Sequence, residues 1–260
     1  MLEIRGLCGG YGGKNVLEDI SISFRSGSVT SVIGANGCGK STLLQMCCGL
    51  LKPSRGEILI DGESISSMKH TELAQKISYM EQMHNSGSIT VRALASHGRF
   101  PYLGYPRRFT SEDKRIVDEA LESAGVSDIA DRRVSELSGG QRQRAYIAMT
   151  LAQDTDIVLL DEPSTYLDIS SQFELMDIVS AMKKRGKTVI MVLHDLNMAL
   201  SNSDMTAVMK NGRLLGALPP REAAESGLIR EALGVDAVLD EKTGQYLLFK
   251  AGEKNEKSYN

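Results

Sequence analysis

A glycine-rich stretch that begins at residue 34 carries the clearest chemistry in this chain. It reads Gly34-Ala35-Asn36-Gly37-Cys38-Gly39-Lys40-Ser41-Thr42, follows a β-branched run and precedes a helical pattern. The spacing matches G-x-x-x-x-G-K-[ST], in which glycines let successive backbone N–H groups surround phosphate oxygens. Lys40 would contact the β- and γ-phosphates, and the Ser41 hydroxyl would bind Mg²⁺. The stretch therefore predicts a binding site for a nucleoside triphosphate.

Two acidic residues follow a second apolar run. Residues 157–160 are Ile-Val-Leu-Leu, and Asp161 and Glu162 come directly after them. Ligands of open α/β sheets lie at the carboxyl ends of the strands, so Asp161 is expected to hold Mg²⁺ there. Glu162 would polarise the water that attacks the γ-phosphate. An acidic turn after a strand is common by itself, and its pairing with the glycine-rich stretch favours the catalytic interpretation.

A second candidate site for an anion lies at residues 137–141, Leu-Ser-Gly-Gly-Gln, before another helical pattern. Ser138 is expected to cap that helix, and Gly139 and Gly140 would expose the N–H groups of its first turn. Because the chain already has one phosphate loop, a second anion site predicts two chains that share nucleotides. The Ser138 region of one chain would close over the γ-phosphate held by the other. A simple capped helix is the alternative.

These residues must be positioned by an α/β fold, because strand patterns alternate with helix patterns. Such alternation predicts a parallel sheet with right-handed crossovers. From about residue 91 to residue 153 the pattern is mostly helical, and Gly125 is expected to end one of those helices. Asn211-Gly212 predicts the turn of a final hairpin. Strands are predicted at residues 2–8, 20–25, 28–33, 57–60, 77–80, 157–160, 188–193, 206–209 and 213–217, and core helices at 40–50, 170–184 and 196–201.

Composition narrows the class of protein. The chain has 260 residues, 42% hydrophobic and 24% charged, with a formal net charge of -3. This profile excludes a disordered chain, and it offers no net positive field for DNA or an anionic bilayer. Trp is absent and aromatic residues make up 5%, which argues against a carbohydrate cleft or a base-stacking platform. Four cysteines without disulfide or zinc spacing indicate reduced thiols.

No segment approaches the roughly 20 apolar residues that cross a bilayer, and the first residues lack the features of a secretory signal. We therefore expect a cytoplasmic chain that can still dock onto a membrane protein.

Taken in order along residues 1–218, the motifs resemble those of the ATP-binding cassette (ABC) ATPases. Tyr11 lies where that family stacks an aromatic ring on adenine, and Gln82 ends a strand as the family's glutamine does. Residues 164–168, Ser-Thr-Tyr-Leu-Asp, match its dimer-contacting turn. His194 follows the run TVIMVL, as the family's switch histidine does.

The resemblance implies an α/β fold with a P-loop NTPase core of the ABC ATPase type, an antiparallel β subdomain and an inserted helical subdomain. Residues 1–89 and 156–220 would form the nucleotide-binding core. Residues 90–155 would form the helical subdomain that carries the signature Leu137–Gln141. A small extension would cover residues 221–250, and a flexible tail residues 251–260.

The resemblance also implies a dimer of cassettes that holds two ATP molecules head to tail with Mg²⁺. Catalytic roles would fall to Glu162, His194 and Gln82, and metal binding to Ser41, Gln82 and Asp161. Asp168 would join the two halves. The nucleotide would contact Tyr11, the phosphate loop Gly34, Ala35, Asn36, Gly37, Cys38, Gly39, Lys40, Ser41 and Thr42, and, across the dimer, Ser138, Gly139, Gly140 and Gln141.

A finer resemblance points to importer ATPases for iron–siderophore, haem and cobalamin complexes. It rests on His97-Gly-Arg-Phe-Pro-Tyr102 and on residues 164–172, 192–197 and 227–236. Tyr102 and Ser171 depart from it, because histidines are expected there. The implied assembly has two copies of this chain on the inner face of the cell membrane, beneath permease subunits. An extracellular or periplasmic substrate-binding protein would deliver the chelate, and no nucleic acid would take part.

The residues leave two other classes of protein open. One is an ABC ATPase of another importer class or a non-transport ABC ATPase, although the long coiled coil or second cassette usual in non-transport members is not visible. The other is a P-loop kinase, which would need an acceptor pocket but neither the signature nor His194. Phosphate release without a second substrate would distinguish an ATPase from a kinase.

Overall fold

A computed structural model describes residues 1–81, 88–165 and 167–252 of the chain. The strands are Leu2–Gly9 (β1), Leu17–Phe24 (β2), Val29–Ile33 (β3), Arg55–Ile60 (β4), Glu63–Ser64 (β5), Ile77–Met80 (β6), Ile157–Asp161 (β7), Thr188–Val192 (β8), Met205–Lys210 (β9), Arg213–Leu218 (β10), Val235–Asp240 (β11) and Gln245–Lys250 (β12). The α-helices are Lys40–Cys47 (α1), His70–Lys76 (α2), Val91–His97 (α3), Ser111–Ser123 (α4), Gly139–Ala152 (α5), Ile169–Lys184 (α6), Leu196–Ser201 (α7), Pro220–Glu225 (α8) and Leu228–Leu233 (α9).

A six-stranded sheet in the order β10-β9-β3-β8-β7-β6 forms the centre of the molecule. Strands β9, β3, β8, β7 and β6 run parallel, and β10 is antiparallel to β9. Every residue of β3, β7 and β8 is buried. The apolar runs of β7 and β8 fit strands that are covered on both faces, as the sequence predicts, whereas β3 also buries the polar residues Thr30 and Ser31. Because these strands are parallel, the ends of β3 and β7 lie at the same edge, which places the phosphate loop near Asp161.

An antiparallel sheet in the order β2-β1-β4-β5 packs against this centre. Its inward side chains include Leu2, Ile4 and Leu17, which join a core cluster with Leu43 and Leu44 of α1. The cluster buries α1 between the two sheets. The phosphate loop, which precedes α1, is therefore supported from both sides by packed apolar side chains.

The segment between β6 and β7 contains the three helices α3, α4 and α5, and Gly125 follows α4 with a φ of 63°. Helix α4 begins with a capping box, in which Thr110 and Asp113 satisfy each other's backbone N–H groups. The sequence patterns predict α4 and α5. They do not predict α3, although its buried residues Val91, Leu94 and Ala95 have helical spacing.

The hairpin of β9 and β10 turns at Asn211-Gly212, both with positive φ, which confirms the predicted turn. After it come α8, α9 and the antiparallel pair β11–β12, which the sequence analysis leaves as one undivided extension. Helix α1 ends at Cys47, three residues before the predicted end, because Gly49 takes a left-handed φ of 75°. In the ranges that the structure describes, no helix is long and apolar enough to cross a bilayer.

Candidate functional site

The phosphate loop connects β3 to α1 at the edge of the central sheet. Gly34 has a φ of 154°, and a Cβ atom placed there would lie 2.3 Å from the Met209 carbonyl oxygen. Gly39 has a φ of 105°, and a Cβ atom there would lie 2.6 Å from the Leu17 side chain. Both positions need glycine, because a larger residue would combine a strained backbone with a collision.

Lys40 begins α1 and lies close over the loop. Its side chain is almost buried, and its Nζ atom donates to the carbonyl oxygens of Gly34 at 2.8 Å and Ala35 at 3.1 Å. Gly39 is the N-cap of α1 and offers no side chain to its first amides. The cationic amine and the positive end of a helix therefore share one surface, which suits a phosphate group.

Asp161 ends β7 and is held by two hydroxyl groups. Ser41 Oγ donates to Asp161 Oδ1 at 3.0 Å, and the Tyr79 hydroxyl donates to Asp161 Oδ2 at 3.1 Å. Burial raises the pKa of Asp161, while the hydrogen bonds from Ser41 and Tyr79 oppose that rise. A carboxylate beside a hydroxyl is a set of hard oxygen donors, and it therefore fits Mg²⁺ chemically.

Glu162 and His194 meet next to the loop. Glu162 has a φ of 52°, and its N–H donates to the Val192 carbonyl oxygen of the neighbouring strand at 3.2 Å. His194 Nε2 lies 2.5 Å from Glu162 Oε1, and Thr165 Oγ1 donates to Oε2 at 3.4 Å. The Glu162 side chain is 10% exposed and that of His194 is 43% exposed. The carboxylate can accept a proton at this position, with the imidazole beside it.

These groups share one open pocket of about 440 Å³. Its lining joins residues far apart in sequence: Tyr11, Val16, Asn36, Gly37, Gly39, Lys40, Ser41, Thr42, Glu162 and His194. Gly34 and Ala35 accept hydrogen bonds from Lys40 through their carbonyl oxygens, and Cys38 is buried, which raises the pKa of its thiol. Half of Tyr11 is exposed, so its ring is accessible at the mouth of the pocket.

The signature residues lie elsewhere. Ser138 is the N-cap of α5 and forms a capping box with Gln141, as the sequence predicts for a helix start. Ser138, Gly139, Gly140 and Gln141 all belong to the described part of the chain, and they do not line the pocket. Gly140 packs on the first turn of α6, where a Cβ atom would lie 3.0 Å from Ser171 Oγ. The chain therefore does not bring its own signature and its own phosphate loop into one pocket.

Asp168, predicted to join two chains, is the N-cap of α6. Its carboxylate accepts the Ser171 N–H at 2.8 Å, and this bond lowers the pKa of Asp168. Gln82, predicted to bind the metal and to take part in catalysis, lies outside the described residues, as does Tyr166 of the predicted dimer-contacting turn.

Three residues with clear positions at this site were not singled out from the sequence. Val16 lines the pocket, Tyr79 holds Asp161, and Gln45 accepts a hydrogen bond from the Tyr11 hydroxyl. Val16 could have been suspected from its closeness in sequence to Tyr11. Gln45 and Tyr79 carry no local signal, because only the packing of α1 against β6 and β7 brings them together.

Comparisons with known proteins agree with this geometry. A family model described as ABC transporter matches residues 17–165. The petrobactin import ATP-binding protein of Bacillus subtilis is 40% identical over 252 residues, which are 95% of this chain and 99% of that protein. The ferric enterobactin transport ATP-binding protein of Escherichia coli is 39% identical over 232 residues, which are 88% of this chain and 86% of that protein.

A solved structure with a similar fold gives a further comparison. The ATP-binding cassette MJ0796, in a dimeric post-hydrolysis state bound to ADP and Pi, is 27% identical with a TM-score of 0.74. The match covers 85% of this chain and 99% of that one. The central sheet, the antiparallel sheet and the inserted helices are thus those of an ABC ATPase cassette. The chain belongs to the ABC transporter family, and it is an ATP-binding subunit that hydrolyses ATP.

Proposed function

We propose that this chain is the ATP-hydrolysing subunit of an importer for metal chelates of the iron–siderophore, haem or cobalamin type. The assignment of ATP hydrolysis is supported by one pocket, which is lined by Lys40 and Ser41 together with Glu162 and His194. The choice of cargo is supported by the relatives named for petrobactin import and ferric enterobactin transport. An ABC ATPase of another importer class, or one outside transport, is the alternative.

In this proposal the pocket residues divide the work of hydrolysis. Tyr11 stacks on adenine, and Lys40 with the loop N–H groups holds the phosphates. Glu162 Oε1 accepts a proton from water as the water oxygen bonds to the γ-phosphorus. The bond between the γ-phosphorus and the bridging oxygen breaks, which yields ADP and phosphate. His194, beside Glu162, donates a hydrogen bond to the γ-phosphate.

The metal-binding residues would be Ser41, Asp161 and Gln82, the last on the resemblance alone. Bound Mg²⁺ would neutralise charge on the β- and γ-phosphates. In this chain, Ser41 Oγ and Asp161 Oδ1 lie 3.0 Å apart, and both are oxygen atoms of the kind that binds Mg²⁺. Their proximity supports the assignment.

We propose a head-to-tail dimer in which Ser138, Gly139, Gly140 and Gln141 contact the nucleotide of the other copy, with Asp168 at the shared interface. The separation of the signature from the pocket of its own chain supports this arrangement. The γ-phosphate then favours the closed dimer, because both chains bind it, and hydrolysis removes that preference.

The remaining assignments follow from this role. The dimer would bind permease subunits at the inner face of the cell membrane, and a substrate-binding protein outside would deliver the chelate. No nucleic acid takes part. Residues 1–89 and 156–220 would act as the nucleotide-binding core, 90–155 as the helical subdomain, 221–250 as a small extension and 251–260 as a tail.

The cargo is tested with the chain and its membrane subunits in proteoliposomes. We expect ATP hydrolysis to rise when the substrate-binding protein is loaded with a ferric siderophore, haem or cobalamin. Stimulation by an unrelated solute, and by none of these chelates, would contradict the proposed cargo but leave the ATPase assignment intact.

Glu162→Gln tests the catalytic assignment. It keeps the size of the side chain but removes the proton acceptor, so we expect ATP binding to persist, hydrolysis to stop and a closed dimer to accumulate in size-exclusion chromatography. Glu63→Gln, at an exposed position in β5, is the matched control and should hydrolyse ATP normally. Normal turnover by Glu162→Gln would show that another group activates the water.

A further inference from the structure

One face of α5 lies against the chain that follows β7. Gln143 is half-buried on this face, and its Nε2 atom donates to the Pro163 carbonyl oxygen at 2.8 Å. Gly140, one turn earlier on the same face, packs so closely on the first turn of α6 that a Cβ atom there would lie 3.0 Å from Ser171 Oγ. The helix that begins with the signature is therefore in direct contact with the residues after Glu162.

The bond from Gln143 reaches the middle peptide of a tight turn. The Thr165 N–H donates to the Glu162 carbonyl oxygen at 3.2 Å, which closes a four-residue turn with Pro163 at its second position. The Thr165 hydroxyl also donates to Glu162 Oε2 at 3.4 Å. The turn thus holds both the backbone and the carboxylate of Glu162, and Gln143 connects this turn to α5.

The proline makes the orientation of Glu162 depend on this bond. Pro163 is buried and has no N–H, so its carbonyl is the only backbone group through which it can be hydrogen-bonded. The ring also fixes the φ of Pro163, which leaves few rotations between the held carbonyl and Glu162. On the other side, the Glu162 N–H donates to the Val192 carbonyl oxygen at 3.2 Å. Bonds from α5 and to β8 therefore hold Glu162 from both sides in its left-handed conformation.

We propose that Gln143 is a positioning residue, which holds the Glu162 carboxylate in place through the Pro163 carbonyl. This inference rests on the proposed function, because it takes Glu162 as the group that accepts the proton from water. Without the donor, the buried carbonyl lacks its partner and must turn toward another donor or water, which moves the turn. Displacement of a positioned group by about 1 Å can lower a rate about 100-fold. Because α5 begins with the signature, the position of Glu162 then also depends on what the signature contacts.

A purely structural role makes a different prediction. If Gln143 only fastened α5 to the sheet, its loss would lower stability and loosen the signature, so ATP would bind more weakly and the closed dimer would be less stable. A positioning role lowers kcat and leaves the KM for ATP and the closed dimer unchanged. Gln153 supplies the comparison, because it lies at the other end of α5 and its Nε2 atom donates to the Ala74 and Ile77 carbonyl oxygens at 2.6 Å and 3.1 Å.

The experiment measures phosphate release by the full chain with its membrane subunits in proteoliposomes. Gln143→Met keeps the length of the side chain and removes the donor. We expect kcat to fall about tenfold, less than for Glu162→Gln because the carboxylate is still present, with the KM for ATP within about twofold of normal. Gln153→Met is the matched control, because it removes a glutamine bond at the opposite end of the same helix, and its kcat should stay close to that of the unaltered chain.

A double variant separates the effect on Glu162 from an effect on the signature. In a chain that carries Glu162→Gln, the carboxylate that Gln143 positions is already gone. The further change Gln143→Met should therefore leave the ATP-bound closed dimer intact in size-exclusion chromatography. Loss of that dimer would show that Gln143 serves the signature and would overturn the inference.

The outcomes distinguish this inference from the proposed function. Normal turnover by Glu162→Gln would contradict the proposed role of Glu162 itself. Normal kcat in Gln143→Met, or an equal fall of kcat in Gln153→Met, would overturn the inference alone. If Gln143→Met does not fold, as judged by its thermal transition, Gln143→Glu decides the question by the same measurements, because a carboxylate keeps the shape of the side chain but cannot donate to the carbonyl.

Discussion

Glu162 has a left-handed backbone conformation, which residues other than glycine, asparagine and aspartate rarely adopt. Its φ of 52° directly after β7 costs about 1 kcal/mol or more. The N–H bond to Val192 and the contact with His194 hold the residue there. The turn brings the carboxylate back over the phosphate loop, where a regular extension of the strand would carry it away. The strain is therefore located at the residue proposed to accept the proton.

The position of the Lys40 amine predicts that this residue is needed for ATP binding. Because its amine is the cation closest to the loop carbonyls of Gly34 and Ala35, Lys40→Ala should weaken ATP binding at least about tenfold. Equilibrium titration with a fluorescent ATP analogue measures this loss. Lys69→Ala, at an exposed position before α2, serves as the control for general charge effects. Binding close to normal in Lys40→Ala would contradict the phosphate-loop assignment.

At the scale of elements, Arg99 and Asp113 tie α3 to α4. Arg99 Nε donates to Asp113 Oδ1 at 3.0 Å, and both side chains are less than 10% exposed. Burial acts to raise the pKa of Asp113, but the hydrogen bonds from Thr110 and then from Arg99 outweigh it, and the pKa is lowered. The same carboxylate completes the capping box of α4. One residue therefore joins two helices and starts one of them.

Asp113→Asn should destabilise the chain by about 3 kcal/mol at pH 7, because it leaves Arg99 buried without its counter-charge. A lowered folded pKa means that ionised Asp113 stabilises the fold above the unfolded value of about 3.9, and that this contribution disappears as the pH falls through the folded pKa. Urea unfolding measures the free energy of unfolding at pH 7 and at pH 3. The difference in this free energy between the variant and the unaltered chain should be smaller at pH 3. Glu112→Gln, on the exposed side of the same turn, is the control. An equal difference at both pH values would exclude the charge as the cause.

Gly98 fixes the contact between α3 and α5. A Cβ atom at this position would lie 2.3 Å from the Met149 carbonyl oxygen and 2.8 Å from the Gln153 N atom. Gly98→Ala should therefore separate the two helices and destabilise the chain by about 2 kcal/mol, as overpacking commonly does. Gly104→Ala is the matched control, because a Cβ atom there meets nothing within 4 Å. Equal thermal transitions for the two variants would refute the close contact.

At the scale of the whole molecule, hydrogen bonds join the inserted helices to the central sheet at both ends of its strands. The Tyr102 hydroxyl donates to the Gln153 carbonyl oxygen, and Gln153 Nε2 donates to the carbonyl oxygens of Ala74 and Ile77. Gln143 of α5 donates to the Pro163 carbonyl oxygen, one residue after Glu162. Motion of α5 relative to the sheet must therefore strain the bond from Gln143 to Pro163, the residue that follows the proposed proton acceptor Glu162.

The proposed sharing of sites between two copies predicts complementation. Ser138→Asp keeps a good helix cap but places a carboxylate against the partner's γ-phosphate, so it should stop hydrolysis without weakening ATP binding by the isolated chain. Lys40→Ala should also be inactive. Mixing the two gives heterodimers with one complete site, and about a quarter of the normal activity should return. Phosphate release measures the recovery, and its absence would mean that the signature does not serve the partner.

The sequence predicts those parts of the fold that depend on neighbours in the chain. The strand β3, the buried strands β7 and β8, the cap at Ser138 and the turn at Asn211-Gly212 all follow from local patterns, and the structure agrees with them. The seven-residue helices α2 and α3 are not predicted from the sequence; in α2 only Leu73 is buried, so its apolar residues show no helical repeat. The elements of the extension after residue 220, which are α8, α9, β11 and β12, are also not predicted from the sequence.

The residues from Gly34 to Thr42 are enough to identify a nucleoside triphosphate site, because their pattern already defines a phosphate-binding backbone. Which side chains complete that site depends on the packing of distant elements. Tyr79 and Gln45 reach Asp161 and Tyr11 through the packing of β6 and α1, over sequence separations that no periodic pattern records. A glycine motif binds phosphate through its own backbone, so the local sequence is enough to identify it. A hydrogen bond between residues distant in sequence forms only when the sheet has brought them within about 3 Å of each other.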